Sequence, residues 1–396
     1  KALAERAARI GVAPASAGDR RVFRGRVLLL DDLLPLPSEG SGAPRAAAIL
    51  RVLEELGFFT TYLCCGGGPH DPVLARRARR MSDRLEVVTH LGAGFLADLW
   101  AERRGWFDHV IVSRPHNLDR LIATGIDRSG VRLVYDSEAL VGLRKRGQAE
   151  VLGEEAVDAP GYDLDWELEL AARADSIWAV SEREAELLGG HGPPVTVVRH
   201  AVEPRDGTPG HGDRRGLVFF GRLDDVTSPN VDGLLWFVER VLPRLRSRLG
   251  EALTLDVVGR GGAAVLHGAD GVRVHGVLDD PGEILDRARV AVAPLRVGAG
   301  IPIKVLTCAA RGLPSVAGSL AVEQLGWRAG REILDGGATP EDFADAVEAL
   351  YGDGGLWMAV RTAARNRLAE DYGFSQLRDS VARGLGLDAA PDAGSR

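Results

Sequence analysis

The most distinctive chemical pattern in the sequence is a pair of glycines followed by a lysine. An apolar segment ends at Pro294, Gly298 and Gly300 follow, and a helix is expected to begin near Lys304. Amide groups at a helix N-terminus, together with the helix dipole, attract anions and disfavour cations. A lysine in this first turn is explained if its side chain faces a phosphate. The ordinary alternative is a turn that carries a solvated lysine.

Lysine is rare enough in this chain to give that position weight. Of the 49 Lys and Arg residues only three are lysines, and Lys304 is one of them. A second basic residue occupies a comparable place, because Gly221 and Arg222 come directly after the apolar segment at residues 217–220. Ligands bind at the carboxyl ends of the strands in open α/β sheets. The pattern therefore favours a second ligand-binding position, against the alternative of a turn glycine beside a surface arginine.

Apolar segments of strand length alternate with amphipathic helical segments through both halves of the chain. Such alternation is typical of βαβ units and a parallel sheet. Residues 203–214 are rich in Pro, Gly and charge without periodicity, and are the best candidate linker. We therefore expect an α/β protein with a Rossmann-like domain over residues 1–203, a second over 204–375, and a helix and tail over 376–396. Two such domains imply a cleft between them, where ligands usually bind.

Composition bounds the class of protein. The chain has 396 residues, of which 27% are charged, and a net charge of −7, which speaks against a nucleic-acid surface. No apolar run suits a transmembrane helix, and three cysteines suit neither a disulfide framework nor a zinc site. We expect a cytoplasmic protein, with peripheral attachment to the inner face of the membrane left open. Because the first residue is Lys1 rather than Met, a longer multidomain chain also stays open.

Several short motifs occur in a fixed order along the chain. In the second half they are Gly221-Arg222, the segment from Pro229-Asn230, the Val258-Gly259 strand end, and the stretch from Gly298 through Lys304 to Pro314. This ordered set resembles the donor half of retaining glycosyltransferases of the GT-B fold, family 4. The first half resembles the same family at Asp31-Asp32, Ser41-Gly42, Tyr135-Asp136 and Ser181-Glu182. The resemblance covers about residues 25–375.

The resemblance implies transfer of a hexose from a nucleotide sugar to a hydroxyl group, with retention of the anomeric configuration. Arg222 and Lys304 would bind the donor diphosphate and stabilise the leaving charge, so that neither a metal nor another cofactor is required. His116 would lie near the reacting sugar as a third catalytic residue, against the alternative of an ordinary loop histidine. The substrate-binding positions that the resemblance implies are Gly42, Arg45, Gly221, Gly298, Gly300, Ile301, Thr307 and Glu323.

Donor and acceptor are left open. The donor candidates are UDP-, GDP- and dTDP-sugars, and the acceptor is a hydroxyl of a glycan or a natural product. Cell-surface polysaccharide synthesis is the expected role, with antibiotic-type natural-product glycosylation as the alternative. Ala299 and Thr307 stand where many members of the family carry glutamates, and no lysine occurs in residues 223–230. A nucleotide-sugar-binding protein of the same fold, with weak or no activity, therefore stays an alternative.

Two other enzyme classes fit less well. Gly92-Ala-Gly94-Phe-Leu-Ala97 matches the dinucleotide-binding pattern, but it follows the third strand, and Val112 stands about 20 positions on where an acidic residue is needed. Asp163-Leu-Asp165 matches the D-x-D pattern of metal-dependent glycosyltransferases. It opens a helix, however, where acidic residues are ordinary.

Overall fold

The computed structural model describes residues 23–37, 42–66, 71–89, 94–152, 163–190, 192–223, 227–261, 266, 268–278 and 280–387. The predictions for Ser41, for Gly92 and for the tail beyond residue 387 lie outside these ranges. The chain forms two compact units, each built on a parallel sheet. The predicted α/β class with two Rossmann-like parallel-sheet domains is therefore confirmed.

The first unit contains a sheet of seven parallel strands among its described residues. They are β1 (Gly25–Asp31), β2 (Phe58–Cys64), β3 (Leu85–Thr89), β4 (His109–Ser113), β5 (Arg132–Asp136), β6 (Ser176–Ala179) and β7 (Val195–Val197). Their order is β3-β2-β1-β4-β5-β6-β7. Val27 and Leu28 in β1 are fully buried, as expected for a parallel strand covered on both faces, and this explains the continuous apolar run.

Helices follow the strands of this part of the chain. They are α1 (Ala43–Glu55), α2 (Pro72–Ala78), α3 (Gly94–Glu102), α4 (Pro115–Ala123), α5 (Val141–Leu152), α6 (Leu164–Ala171) and α7 (Glu182–Leu188). Local sequence sets their ends. Ser181, for example, caps α7 by accepting a hydrogen bond from the amide of Glu184, which satisfies an amide that has no partner within the helix.

The second unit contains six parallel strands in its described part, in the order β10-β9-β8-β11-β12-β13. They are β8 (Leu217–Phe220), β9 (Leu255–Val258), β10 (Val272–Gly276), β11 (Val290–Ala293), β12 (Ser315–Ala317) and β13 (Leu334–Asp335). The later helices are α8 (Pro229–Trp236), α9 (Leu242–Leu249), α10 (Gly282–Arg287), α11 (Ile303–Ala310), α12 (Ser319–Leu325), α13 (Pro340–Gly352), α14 (Gly354–Tyr372) and α15 (Phe374–Gly384). Within the described ranges, none of the helices is both long and apolar enough to cross a bilayer.

Aromatic side chains fill the core of the second unit. Phe219 of β8, Phe343 of α13 and Trp357 of α14 are buried together with the ring of Phe237. The rings of Phe237 and Phe343 meet edge to face with their centres 5.6 Å apart. Burying each such side chain contributes about 1.5–3 kcal/mol, so this core fixes β8 beneath the helices that follow it.

The helices α5 and α15 do not cluster as the predicted domain bounds assign them. Of the described residues, the first unit takes in those up to Val141, those in Leu164–Ala201 and those from Ser375 onward. The second takes in the described residues of Gly142–Asp163 and of Val202–Phe374. Most of α5 therefore belongs to the second unit, where Gln148 Nε2 donates to the carbonyl of Thr227. Almost all of α15 belongs to the first, where Ser176 Oγ donates to the carbonyl of Gly384. By these bounds the chain passes between the units four times.

The predicted linker, residues 203–214, is bound along the second unit. Arg214 is buried and donates to the carbonyl groups of Pro209, Leu285, Ala288 and Arg311. Arg361 of α14 donates to both the carbonyl and the hydroxyl of Thr208. A composition of Pro, Gly and charge does not reveal these arginine-to-carbonyl bonds. The segment is thus a packed part of its unit.

Candidate functional site

Two clusters of polar residues lie at the points where the strand order reverses. In the first unit the reversal falls between β1 and β4, and in the second between β8 and β11. The connections that leave neighbouring strands at such a point run to opposite faces, which opens a crevice at the carboxyl edge of the sheet. Asp32 follows β1 and Gly221-Arg222 follow β8, while His116 and Lys304 lie in the opening turns of the helices that come after β4 and β11.

Lys304 lies in the first turn of α11, as the sequence predicts. Its Nζ donates to Oδ1 of Asn230 at 2.5 Å and lies 4.3 Å from the centre of the Phe219 ring. None of the described carboxylates pairs with it, and desolvation lowers the pKa of Lys304 to about 7. A desolvated cation with neutral partners gains much from an anionic ligand, because the low local dielectric strengthens their attraction. The surroundings of Lys304 are therefore suited to binding a phosphate.

Asn230 connects Lys304 to the loop after β8. While Oδ1 accepts from Lys304, Nδ2 donates to the carbonyl of Arg222 at 3.0 Å. The Pro229-Asn230 motif alone predicts no role for Asn230; the signal that could have indicated one is its position just after Pro229 at the start of α8. Nζ of Lys304 also lies close to Gly221, since a Cβ built on that glycine would be 3.2 Å away. Gly221 and Lys304, two of the predicted site residues, thus lie next to each other.

The loop between β11 and α11 depends on its two glycines. Gly298 has φ 148° and Gly300 has φ 77°, conformations that residues with a Cβ adopt only under strain. Arg296 in the same loop forms a bidentate ion pair with Asp232 of α8, with Nε 2.9 Å from Oδ2. The ion pair holds the loop against α8, so that Ile301 and the start of α11 follow at a defined place.

Three other predicted residues of the second unit have different surroundings. Thr307 Oγ1 donates to the carbonyl of Ile303 one turn earlier at 3.0 Å. Glu323 is exposed on α12, the helix that follows β12. Arg222 is exposed directly after β8. Their predicted roles in binding a donor stay predictions.

In the first unit, His116 lies in the opening turn of α4, directly after β4. Its Nε2 is 2.9 Å from each carboxylate oxygen of Asp32, which follows β1. Asn117 Nδ2 donates to the same carboxylate at 3.0 Å. Although burial opposes the change, these hydrogen bonds lower the pKa of Asp32 below its usual range. An ionised Asp32 favours the tautomer of His116 that carries its proton on Nε2.

Arg114 lies among three carboxylates, and none of the sequence motifs predicts this cluster. Its Nε is 2.8 Å from Oε2 of Glu138 and 3.2 Å from Oδ1 of Asp31, and its Nη1 is 3.4 Å from Oδ2 of Asp32. Burial raises the pKa of Glu138 to about 7 in spite of the nearby guanidinium. It raises the pKa of Asp31 as well. This cluster can therefore hold a proton near neutral pH.

Gly42 and Arg45 at the start of α1 border this cluster. A Cβ on Gly42 would lie 1.5 Å from Oε1 of Glu138, so the position admits only a glycine while the carboxylate stays in place. Arg45 is 2% exposed; its Nη1 lies 2.5 Å from Oδ2 of Asp136, and its Nη2 donates to the carbonyl of Val198. Arg45 thus ties α1 to β5 and to the segment after β7. Its predicted contact with substrate stays a prediction.

The two clusters differ in the chemistry that they can perform. The Lys304 cluster offers a cation that pairs with no carboxylate of the described ranges, which suits a polyanion. The His116 cluster offers carboxylates and an imidazole, which suit hydroxyl groups and proton exchange. Across the described ranges, no group of three or more His, Cys, Asp or Glu side chains is arranged to hold a metal ion.

Comparison with known protein families identifies one match. The family described as "Glycosyl transferases group 1" matches residues 214–353, which include Gly221, Arg222, Asn230 and Lys304. No curated protein matches the sequence. The family match thus falls on the second unit and covers the phosphate-suited cluster.

Solved structures with a similar fold cover almost the whole chain. HepE of Anabaena, solved with UDP and glucose, has a TM-score of 0.67 at 14% identity, covering 92% of this chain and 100% of its own. Sucrose-phosphate synthase of Thermosynechococcus elongatus has a TM-score of 0.67 at 13% identity, with coverages of 91% and 98%. A glycosyltransferase of Rickettsia africae has a TM-score of 0.64 at 12% identity, with coverages of 92% and 99%. The fold class is therefore that of GT-B glycosyltransferases.

Proposed function

We propose that the protein is a retaining glycosyltransferase that moves a hexose from a nucleotide sugar to a hydroxyl group of a glycan or natural product. One observation carries the proposal. Lys304 stands at the start of α11 beside Gly221, with a neutral amide as its hydrogen-bond partner, within the residues that match glycosyl transferases group 1. A nucleoside diphosphate supplies the negative charge that this lysine lacks.

The donor proposed first is a UDP-sugar. HepE, which shares the fold, is solved with UDP and glucose and also with UDP-glucose. The residues in contact with the diphosphate would be Lys304 and Arg222, with Gly221, Gly298, Gly300 and Ile301 providing backbone close to it. Thr307 and Glu323 are the side chains proposed for the rest of the donor. GDP- and dTDP-sugars are the donors to compare.

The proposed reaction places its charge on the leaving group. The bond between the sugar C1 and the diphosphate oxygen breaks, and the acceptor oxygen forms its bond to C1 on the same face. The proton of the acceptor hydroxyl passes to the departing phosphate. Lys304 and Arg222 stabilise the charge that develops there, as fixed cations do in other transfer reactions, and no metal ion takes part.

The acceptor side of the proposal rests on the first unit. His116, held by Asp32, would lie near the reacting sugar and orient a hydroxyl through its other nitrogen, Nδ1. Gly42 would let the loop before α1 approach the donor. Cell-surface polysaccharide synthesis at the cytoplasmic side of a membrane is the role we propose, with natural-product glycosylation as the alternative.

A binding protein without turnover is the second candidate. It is favoured by Ala299 and Thr307, which replace the glutamates expected from the family resemblance, and by the hydroxyl of Thr307, which is engaged within its own helix. Hydrolysis of the donor by water, measured without acceptor, distinguishes the two. A binding protein would leave the donor intact.

The test begins with donor identity and ends with stereochemistry. A thermal-shift comparison of UDP-, GDP- and dTDP-sugars selects the nucleotide, since binding to the folded state raises the melting temperature. The sugar released or transferred is then followed by proton NMR from the first seconds, before mutarotation. An α-donor should yield the α-anomer first; initial β-anomer would refute retention, and no turnover with any donor or acceptor would refute the transferase.

A further inference from the structure

Two residues of the first unit have a backbone conformation that is unusual for their type. Arg114 has φ 78° and Glu138 has φ 55°, and they are the two non-glycine residues with positive φ in the described part of the chain. Arg114 follows directly after β4, and Glu138 is the second residue after the neighbouring strand β5. Strain of this kind persists where the surrounding structure demands it, and it is concentrated at functional sites.

The two strained residues bind each other. Nε of Arg114 lies 2.8 Å from Oε2 of Glu138, and the amide of Arg114 donates to the carbonyl of Asp136 at 3.0 Å. Both side chains are mostly buried, with 22% and 16% exposed. The two residues with positive φ thus form a largely buried ion pair beside the ends of neighbouring strands.

The pair is connected to His116 in two ways. Arg114 is the residue that caps α4, so its backbone sets the direction of the turn that carries His116. Its guanidinium also lies 3.4 Å from the Asp32 carboxylate that accepts from Nε2 of His116. A change at Glu138 thus reaches His116 through Arg114 and Asp32.

We propose that Arg114 and Glu138 are positioning residues, which hold Asp32 so that Nε2–H of His116 donates to its carboxylate and Nδ1 is left to accept a hydrogen bond from the acceptor hydroxyl. This inference rests on the proposed function for the hydroxyl, but the placement of the His116 proton follows from the first unit alone. The carboxylate of Glu138 is one of the three that pair with the guanidinium of Arg114. Without it, Arg114 would turn fully to Asp31 and Asp32 and compete with His116 for the Asp32 carboxylate.

Several other groups face Glu138, and they define how the pair responds to pH. Asp31 faces it from the end of β1, Asp136 from β5, Arg45 from α1 and Arg114 from the start of α4. Asp32 contacts the same Arg114 guanidinium, and Tyr62 of β2 interacts with Asp31. Carboxylates outnumber guanidinium groups here, four to two. Protonation of Glu138 near neutral pH reduces this excess of negative charge. It also weakens the ion pair between Glu138 and Arg114, as removal of the Glu138 charge would.

The experiment compares Glu138→Gln with Glu86→Gln in the full chain. Glu86 is a matched control, because it is also a partly buried carboxylate of the first unit paired with an arginine, Arg103, at 2.8 Å. The ring nitrogens of His116 are followed by long-range proton–nitrogen NMR, which reports which nitrogen carries the proton. At a pH well above 7, where Glu138 is ionised, we expect Nε2–H in the wild type and in Glu86→Gln, and a mixture with Nδ1–H in Glu138→Gln.

Kinetics provide the second readout. With the donor that the wild type turns over, Glu138→Gln should lower kcat at least about 10-fold without changing KM for the nucleotide sugar, and should remove the limb of the pH–rate profile near neutral pH. Glu138→Asp, which keeps the charge and tolerates the left-handed conformation, should restore part of kcat. Glu86→Gln should leave all three unchanged.

The possible outcomes separate this inference from the proposed function. If the wild type turns over and Glu138→Gln keeps both the His116 tautomer and the pH–rate profile, the positioning role is refuted. If the wild type turns over no donor, the proposed function is refuted, while the tautomer comparison still decides the positioning of His116. A fall in melting temperature with an unchanged tautomer would show a merely structural pair and would also overturn the inference.

Discussion

Oδ1 of Asn230 lies 2.5 Å from Nζ of Lys304, and this neutral amide is the described hydrogen-bond partner of the buried end of that lysine. In most proteins a desolvated cation is paired with a carboxylate. Asn230 keeps Lys304 in place without cancelling its charge. The positive charge of Lys304 is therefore available to attract an anionic ligand, and the neutral partner at position 230 keeps that attraction strong.

Replacing Asn230 by Asp tests this arrangement with almost no change of shape. The new carboxylate would pair with Lys304, raise its pKa and repel the diphosphate. We expect the melting temperature of the free protein to rise. The affinity for a UDP-sugar should fall by at least about 10-fold, since a hydrogen bond to a charged group contributes about 1.5–3 kcal/mol. Isothermal titration calorimetry measures the affinity. Unchanged affinity in Asn230→Asp would show that the diphosphate binds elsewhere.

Removal of the lysine itself should separate activity from stability. Lys304→Ala should lower kcat about 100-fold, as expected when one charge-stabilising group is lost, while the melting temperature at pH 7 stays the same or rises. The pKa of Lys304 is about 7 in the folded protein, below its usual 10.5. The folded state therefore binds fewer protons between these values, and the lysine costs stability that is regained as the pH rises toward 10.5.

The pH dependence gives this prediction a clear signature. The gain in melting temperature of Lys304→Ala over the wild type should be largest at or below pH 7 and should vanish toward pH 10.5. Lys304→Arg should retain only part of the activity, because a planar guanidinium does not reproduce a compact ammonium group. Normal turnover of Lys304→Ala at saturating donor would contradict the proposed mechanism.

Donor binding should be coupled to uptake of a proton. At pH 7 about half of the Lys304 side chains are neutral, and the diphosphate of a nucleotide sugar should restore the charge of the rest. Titrations with UDP-glucose, whose diphosphate diester does not itself titrate near pH 7, should give binding heats that depend on the ionisation enthalpy of the buffer. Lys304→Arg, which stays charged, is the control and should show no such dependence. Buffer-independent heats in the wild type would disprove the coupling.

Chelation of metal ions should leave the reaction unaffected. Since Lys304 and Arg222 are proposed to stabilise the leaving diphosphate, transfer or slow donor hydrolysis should continue in excess EDTA at an unchanged rate. The measurement is the rate of UDP release before and after addition of the chelator. Loss of activity that manganese or magnesium restores would count against this mechanism.

Part of the Lys304 cluster is predictable from residues that are close in sequence. The place of Lys304 at a helix start is a local property, and helix-dipole reasoning alone identified it. Its partner Asn230 lies 74 positions away, and Asp32 lies 84 positions from His116. Pairings at such distances depend on strand order, which one sequence does not reveal. Arg45 shows the same limit, because its observed partners Asp136 and Val198 are likewise remote in sequence.

The fold was predictable where apolar runs were long. The valine and three leucines at residues 27–30 predict β1 by themselves, whereas β7 and β13 span only Val195–Val197 and Leu334–Asp335 and are too short to produce a pattern. The continuous pattern over residues 231–249 predicts one helix, but a π-helical segment at Phe237–Val241 divides it just before Pro243. Proline removes a backbone donor, and the wider turn ahead of it accommodates that loss.

The position of α15 has a consequence for biosynthesis. A ribosome makes the strands of the first unit early, yet the helix over Phe374–Gly384 emerges only after the whole second unit has been translated. The indole ring of Trp178 on β6 is covered on one side only after this helix docks, since the backbone of Gly384 packs directly against it. The unit that is started first is therefore finished last. Until then, the part of the Trp178 ring that Gly384 covers stays accessible on the nascent chain, where chaperones bind exposed apolar surface.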